Sequence, residues 1–266
     1  MKQNQNIKMD DLSTNVAFVL FRPLSAGNVG AAARALKNMG FSDLRIVDPR
    51  DEINDDAYRM AVHARDVLDA AKTYPDLASA VADCAITAGT TARDGFYRSG
   101  VKPVREAAAE LIGLAPANRI ALIFGPEDFG LTNEELKHCH TLITIPTSSE
   151  YRSLNLAQAV MLIAYEVRSA WNADLDTNRI TVPLLAPAGE IDAMLTRMTE
   201  ALLQIGFLPQ DNPDHIMFAI RELIGRARLA PRELDILNGI ARQINWYAHN
   251  GRGTLEAKRL AGEKFR

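Results

Sequence analysis

Asn28, Gly30 and Arg34 form an N-x-G-x-x-x-R pattern a few residues after the apolar run VAFVLF. Arginine stays charged in proteins and presents its donors in a planar fork, so beside a pocket it can hold a phosphate or steady a developing oxyanion. In an Ala-rich helix such as AAARALKNM an arginine more often sits on the surface or in an ion pair. A second concentration of chemistry is IFGPEDFGLTNEEL, residues 123 to 136. There Gly125 lets the backbone approach a ligand closely, Gly130 permits a turn, and Thr132 with Glu135 has the spacing of a capping box. Glu127 and Asp128 are adjacent, and adjacent carboxylates rarely converge on one substrate, so Glu127 is read as a loop-ordering or arginine-pairing residue. The third is TLITIPTSSEYRSLNLAQAVMLIAYEVR, residues 141 to 168, an apolar strand that crosses a polar loop into a helix. Ser153 is placed to cap that helix, and the free amides after it offer donors to polar ligand atoms.

Other chemistries lack their residues. No G-x-G-x-x-G turn follows the first strand, and neither a P-loop nor a G-x-S-x-G elbow occurs. His138, Cys139 and His140 are consecutive, so their side chains diverge, and no second Cys/His pair exists to complete a metal site. Two cysteines, Cys84 and Cys139, are too few for a disulfide framework, and Cys84 opens an apolar run that implies a buried, reduced thiol. The polar start MKQNQNIKMDDLSTN and the lack of any apolar run near ~20 residues point to a cytoplasmic protein without a membrane span.

The elements that position these residues alternate. VAFVLF (16 to 21), LRIV (44 to 47), CAITAG (84 to 89), IALIF (120 to 124) and LITI (142 to 145) read as strands, with amphipathic helices between them. That pattern predicts an α/β fold, a parallel sheet with helices on both faces. The small-residue helix after the first strand should end at Gly40. A Pro-containing stretch at 173–188 reads as a linker between a domain at 1–172 and an all-α module at 189–266. Three helices are expected in the module, at 189 to 204, 213 to 228 with Asn212 as cap and Pro213 at its first position, and 231 to 248 opened by Pro231.

A net charge of -3 argues against nucleic-acid binding by bulk electrostatics. Its distribution differs, since residues 213 to 266 carry ten Lys or Arg against six Asp or Glu. Arg22, Arg34, Lys37, Arg93, Arg98, Lys102 and Arg105 lie near the loops already singled out.

Taken together and in this order, the three segments resemble the signature motifs of the SPOUT RNA methyltransferases of the TrmH/SpoU class, more narrowly the TrmJ-like tRNA 2'-O-ribose methyltransferases. The resemblance covers most of residues 15 to 245, including HIMFAIRELIGRARLAPRELDILNGIARQI, which is similar to the family's C-terminal helical extension. It implies a deep trefoil knot at the C-terminal end of the α/β domain, S-adenosylmethionine as methyl donor, no metal, and a homodimer. The acceptor it implies is a tRNA ribose, at nucleotide 32 (C or U) of the anticodon loop. A ribosomal RNA nucleotide, or an inactive RNA-binding role, are the alternatives. The matching catalytic set is Arg34, Asn28, Glu127, Ser153 and Asn155. Cofactor contacts fall to Thr90, Gly125, Ile145, Ser153, Leu154 and Asn155, and RNA contacts to Arg34, Arg93, Arg98 and Tyr151. Gly95 stands where some relatives carry a second arginine, and Arg98 is the candidate replacement.

Overall fold

Alternation along the strands decides the layers. Phe18 and Leu20 of β1 (Val16–Phe21) join one buried cluster, while Ala17 and Val19 join another, as successive side chains on opposite faces of a pleated strand must. The same split runs through β6 (Ile120–Phe124), with Leu122 and Phe124 on the first side and Ala121 and Ile123 on the second. A computed structural model of the chain describes residues 14–92, 100–174 and 182–260. Arg93 and Arg98 fall outside these residues.

Among the described residues the sheet has seven strands, all pairing in parallel, in the order β3-β2-β1-β6-β4-β7-β5. β2 spans Asp43–Val47, β4 Ile86–Thr90 and β7 Thr141–Thr144, each within two residues of its expected bounds. Two strands were not anticipated: β3 (Lys72–Tyr74) and β5 (Lys102–Pro103). Both are short, polar edge strands, and β5 includes a proline, which cannot donate to a ladder.

The larger core lies on the face covered by α1 (Ala26–Met39), α2 (Asp55–Ala61), α3 (Arg65–Asp69), α5 (Val104–Leu114) and α7 (Leu156–Asp174). The other face carries α4 (Leu77–Val81) and α6 (Asn133–Leu136). At Gly30 a Cβ would stand 1.9 Å from the Ala57 carbonyl oxygen, so glycine there lets α1 and α2 pack backbone to backbone. Gly40 ends α1 in the left-handed region at φ 74°, as expected. Thr132 and Glu135 form the expected capping box.

Several expectations need correction. Asn155, not Ser153, caps α7: its Oδ1 accepts from the Ala157 and Gln158 amides at 2.9 and 3.4 Å. Helix α7 also runs on to Asp174, into the stretch expected as linker. The later part of that stretch is bonded to the α/β unit. Asn118 donates to the Pro183 carbonyl and accepts from the Leu185 amide, and the amides of Ala188 and Gly189 donate to the carbonyls of Cys84 and Ala82. Leu185 and Ala186 are buried. Residues 183–189 form a strap, and the chain divides into compact units at 1–189 and 190–266.

The second unit begins within α8 (Ala188–Gln204) and contains α9 (Asp214–Ala227) and α10 (Pro231–Leu260). α9 starts one residue later than expected, Asn212 makes no cap, and Pro213 occupies the cap position. α10 opens on Pro231 but continues to Leu260 rather than 248. Ion pairing of Arg221 with Asp192 and hydrogen bonds from Arg197 to Asn238 tie these helices together. No helix among the described residues is long and apolar enough to cross a membrane.

At the N-terminal ends of the strands lies an ionic network that sequence reading missed. Arg45 is 3% exposed and donates to Asp43, to Asp83 and to the Ala80 carbonyl. Arg119 pairs with both carboxylates. Burial raises the Asp83 carboxyl, but the Arg45 hydrogen bond and the charges of Arg45 and Arg119 outweigh it and hold it at about 2. Cys84 beside it is buried and free, its thiol pushed up to about 12 by burial.

Candidate active site

Open parallel sheets bind ligands beyond the carboxyl ends of their strands, where connections diverge to opposite sides. Here β1 and β6 are neighbours, yet the chain leaves β1 toward β2 and leaves β6 toward β7 on the other side. A cavity of about 650 Å³ opens beside this divergence, lined by the loops that follow β4, β6 and β7.

Each loop contributes a different surface. Thr90 and Thr91 come from the end of β4, and Phe124 through Leu131 from the end of β6. Ile143, Ile145, Arg152, Ser153 and Leu154 come from β7 and the loop after it. Phe124, Leu131, Ile143, Ile145 and Leu156 provide apolar wall, while Glu127, Asp128, Arg152 and the hydroxyls provide a polar rim. Gly125 is fixed by the loop itself, because a Cβ there would stand 2.4 Å from backbone atoms of Gly130 and Leu131. Gly130 turns the chain at φ 67°.

The three motif segments are joined by one directed hydrogen-bond chain. Asn155 Nδ2 donates to Asn28 Oδ1 at 3.0 Å. Asn28 Nδ2 donates to Glu127 Oε1 at 2.6 Å, and Glu127 Oε2 accepts from the Leu24 amide at 3.0 Å. Glu127 therefore orders loops, one of the two roles expected for it. The N-terminus of α1 is served from a further loop, since Asp51 Oδ2 accepts from the Ala26 amide at 3.2 Å and the Ser25 side chain makes no cap.

Arg34 lies elsewhere on α1. Six residues beyond Asn28, about 240° around the helix axis, it faces a separate groove of about 690 Å³ between α1 and α7. Ala31, Asn38, Asn155 and Gln158 also line this groove, and Leu154 lines both spaces. Arg34 is exposed and forms no hydrogen bond or ion pair with the described residues.

Of the expected residues, the structure gathers Thr90, Gly125, Glu127, Ile145, Ser153 and Leu154 around the cavity. Asn155 does not line it; its oxygen is taken by α7 amides and its nitrogen by Asn28, which places it between cavity and groove. Tyr151 is 77% exposed and lines neither space. Arg93 and Arg98 lie outside the described residues. Sequence reading missed Arg152, Phe129 and Asp51, although Arg152 sits inside the third motif between Tyr151 and Ser153. In the His138–Cys139–His140 run, the His140 Nδ1 atom accepts from the Thr87 amide at 3.0 Å, and burial pushes the Cys139 thiol up to about 12.

Comparison with known proteins gives a consistent result. A profile described as SpoU rRNA Methylase family matches residues 15–165, and one for the tRNA methyltransferase TrmJ, C-terminal domain, matches residues 189–256. The chain is 38% identical over 235 residues to the tRNA (cytidine/uridine/adenosine-2'-O-)-methyltransferase TrmJ of Pseudomonas aeruginosa (strain UCBPP-PA14), covering 85% of this chain and 91% of that one. It is 36% identical over 236 residues to the tRNA (cytidine/uridine-2'-O-)-methyltransferase TrmJ of Salmonella typhimurium, covering 86% and 96%. Among solved structures, TrmJ from Z. mobilis ZM4 superposes with a TM-score of 0.76 at 33% identity, over 86% of this chain and 98% of that one.

Proposed function

Because the chain belongs to the SpoU rRNA methylase family and carries a TrmJ C-terminal domain, we propose that it is a tRNA methyltransferase that modifies the ribose 2'-hydroxyl of nucleotide 32 in the anticodon loop. The observation that carries this reading is the cavity framed by the loops after β4, β6 and β7, which hold the second and third motif segments. Its apolar wall suits an adenine ring and a methionine chain, and its polar rim suits ribose hydroxyls and a cationic centre. Bound S-adenosylmethionine supplies an electrophilic methyl group, so no metal is needed.

What the protein does is bind, align and stabilise. Thr90, Gly125, Ile145, Ser153 and Leu154 hold the methyl donor in this reading. The Asn155–Asn28–Glu127 chain fixes the loops so that donor and acceptor spaces keep their relation across Leu154. Arg34 reaches the acceptor side. A guanidinium stays protonated, so its role is to position the ribose or its phosphate and to stabilise alkoxide charge, while the proton leaves by another route. Tyr151, Arg93 and Arg98 are assigned to tRNA contact, together with the helical module. The same reading includes a homodimer formed through helices of the α/β domain.

Transfer of tritiated methyl from S-adenosylmethionine to separated tRNA and rRNA, followed by nucleoside mapping, tests the reading. Label at the 2'-O of tRNA nucleotide 32 is expected. Label in rRNA alone would replace the acceptor, and no label in either pool would leave an RNA-binding protein without turnover.

A further inference from the structure

The cavity wall after β6 has a support on its outer side that the motifs do not include. Arg50 lies in the loop after β2, where its amide donates to the Pro23 carbonyl at 3.2 Å. Its guanidinium Nη1 stands 3.6 Å from Asp128 Oδ2, and its Cζ lies 5.8 Å from the centroid of the Phe129 ring. Asp128 and Phe129 both line the cavity. We propose that Arg50 is a positioning residue for the methyl-donor cavity, holding its wall in place through Asp128 and Phe129 at once. This rests on the cavity being the S-adenosylmethionine site.

The wall needs such support. Between Gly125 and Leu131 the chain makes a tight turn through Gly130, closed by the Gly130 amide on the Pro126 carbonyl at 2.8 Å. Glu127 is anchored toward α1, whereas the Asp128 carboxylate meets the Phe129 amide of its own loop at 3.0 Å and, from outside the loop, Arg50. One planar guanidinium can pair with a carboxylate and lie over a ring together, and a lysine ammonium cannot reproduce both with the same geometry. Arg50 and Asp128 each keep 42% of side-chain exposure, so the ionic part is screened by salt and the ring contact persists. The same β2 loop supplies Asp51 to the start of α1, so it braces the donor wall and the acceptor helix from one side.

The test uses the full-length protein and calorimetric titration with S-adenosylmethionine, paired with steady-state kinetics on tRNA. Arg50→Ala should raise the cofactor Kd and KM about three- to tenfold. Its kcat at saturating cofactor should stay within about twofold of wild type, and Arg50→Lys should fall between the two proteins. In a double-mutant cycle, Arg50→Ala combined with Phe129→Leu should cost less than the sum of the single changes. An unchanged Kd in Arg50→Ala, a fall in kcat without a rise in KM, or strict additivity in the cycle would each overturn the proposal while leaving the cofactor reading intact. Failure of the wild-type protein to bind S-adenosylmethionine would overturn the cofactor reading and this proposal with it.

Discussion

Asn155 Nδ2 donates to Asn28 Oδ1 across 127 residues of sequence, and the direction of that bond is set by helix α7. Asn155 has its oxygen committed to the Ala157 and Gln158 amides, so only its nitrogen is free to face Asn28. Asn28 must then accept with its oxygen and donate with its nitrogen, and Glu127 must accept. A helix cap thus orients a network that ends on the far loop.

Glu127 in that network accepts twice, from Asn28 Nδ2 and from the Leu24 amide. Glutamine at this position can turn its oxygen to only one of them, leaving two donors opposed at the other. Glu127→Gln should therefore lower stability by about 1–3 kcal/mol and depress methyl transfer. Denaturant unfolding checks the first effect, and unchanged stability would show that the network tolerates reversal.

Arg34 offers the contrasting case. Without partners among the described residues, its removal should alter folding stability by no more than about 0.5 kcal/mol. Arg34→Ala should keep S-adenosylmethionine affinity and lose methyl transfer. Near-normal turnover in this variant would remove Arg34 from the mechanism.

Asp83 gives a pH dependence with a definite sign. Its carboxyl is held at about 2 in the folded protein, below its ordinary 3.8. The stabilisation is fully present above pH 3.8 and is lost as pH falls through about 2. Asp83→Asn should flatten the stability profile across that window. Because Asp83 is 46% exposed and Arg45 keeps Asp43, the cost at neutral pH should be only about 1 kcal/mol. Thermal melts of both proteins between pH 2 and 5 make the comparison, and parallel profiles would count against the network.

The strap at 183–189 makes truncation a sharp test. A chain ending at Gly189 keeps the Asn118 bonds and the burial of Leu185, whereas one ending at Trp171 loses both. After the cost of ordering the strap, the longer chain should be more stable by roughly 2 kcal/mol. Equal melting temperatures would show that the strap contributes nothing.

The sequence reading reached the strands whose apolar character comes from being buried on both faces, such as VAFVLF and IALIF. It failed at Lys72–Tyr74 and Lys102–Pro103, because an edge strand needs no apolar residues and leaves no pattern. Ser153 and Asn155 are both good cap residues two positions apart. Only the observed helix start at Leu156 separates them. The prolines near 183–187 suggested a linker, since composition marks an extended chain but not the carbonyls it meets. Within the site, motif residues were legible one at a time, while the bond from Asn155 to Asn28 and the Arg50 contact to the far wall depend on tertiary neighbours that no local spacing encodes.

The strand order also sets a timetable for synthesis. Val16 pairs with Ile120, so β1 leaves the ribosome with one permanent neighbour, β6, still to be made. At typical translation rates that wait is roughly 5 to 20 s. Throughout it VAFVLF, which is buried on both faces of the finished sheet, has only its β2 edge to occupy. Non-local parallel pairing is slow to form in any case. The nascent chain therefore carries an entirely apolar strand exposed for longest, making the stretch before residue 120 the segment for which a chaperone has most to do.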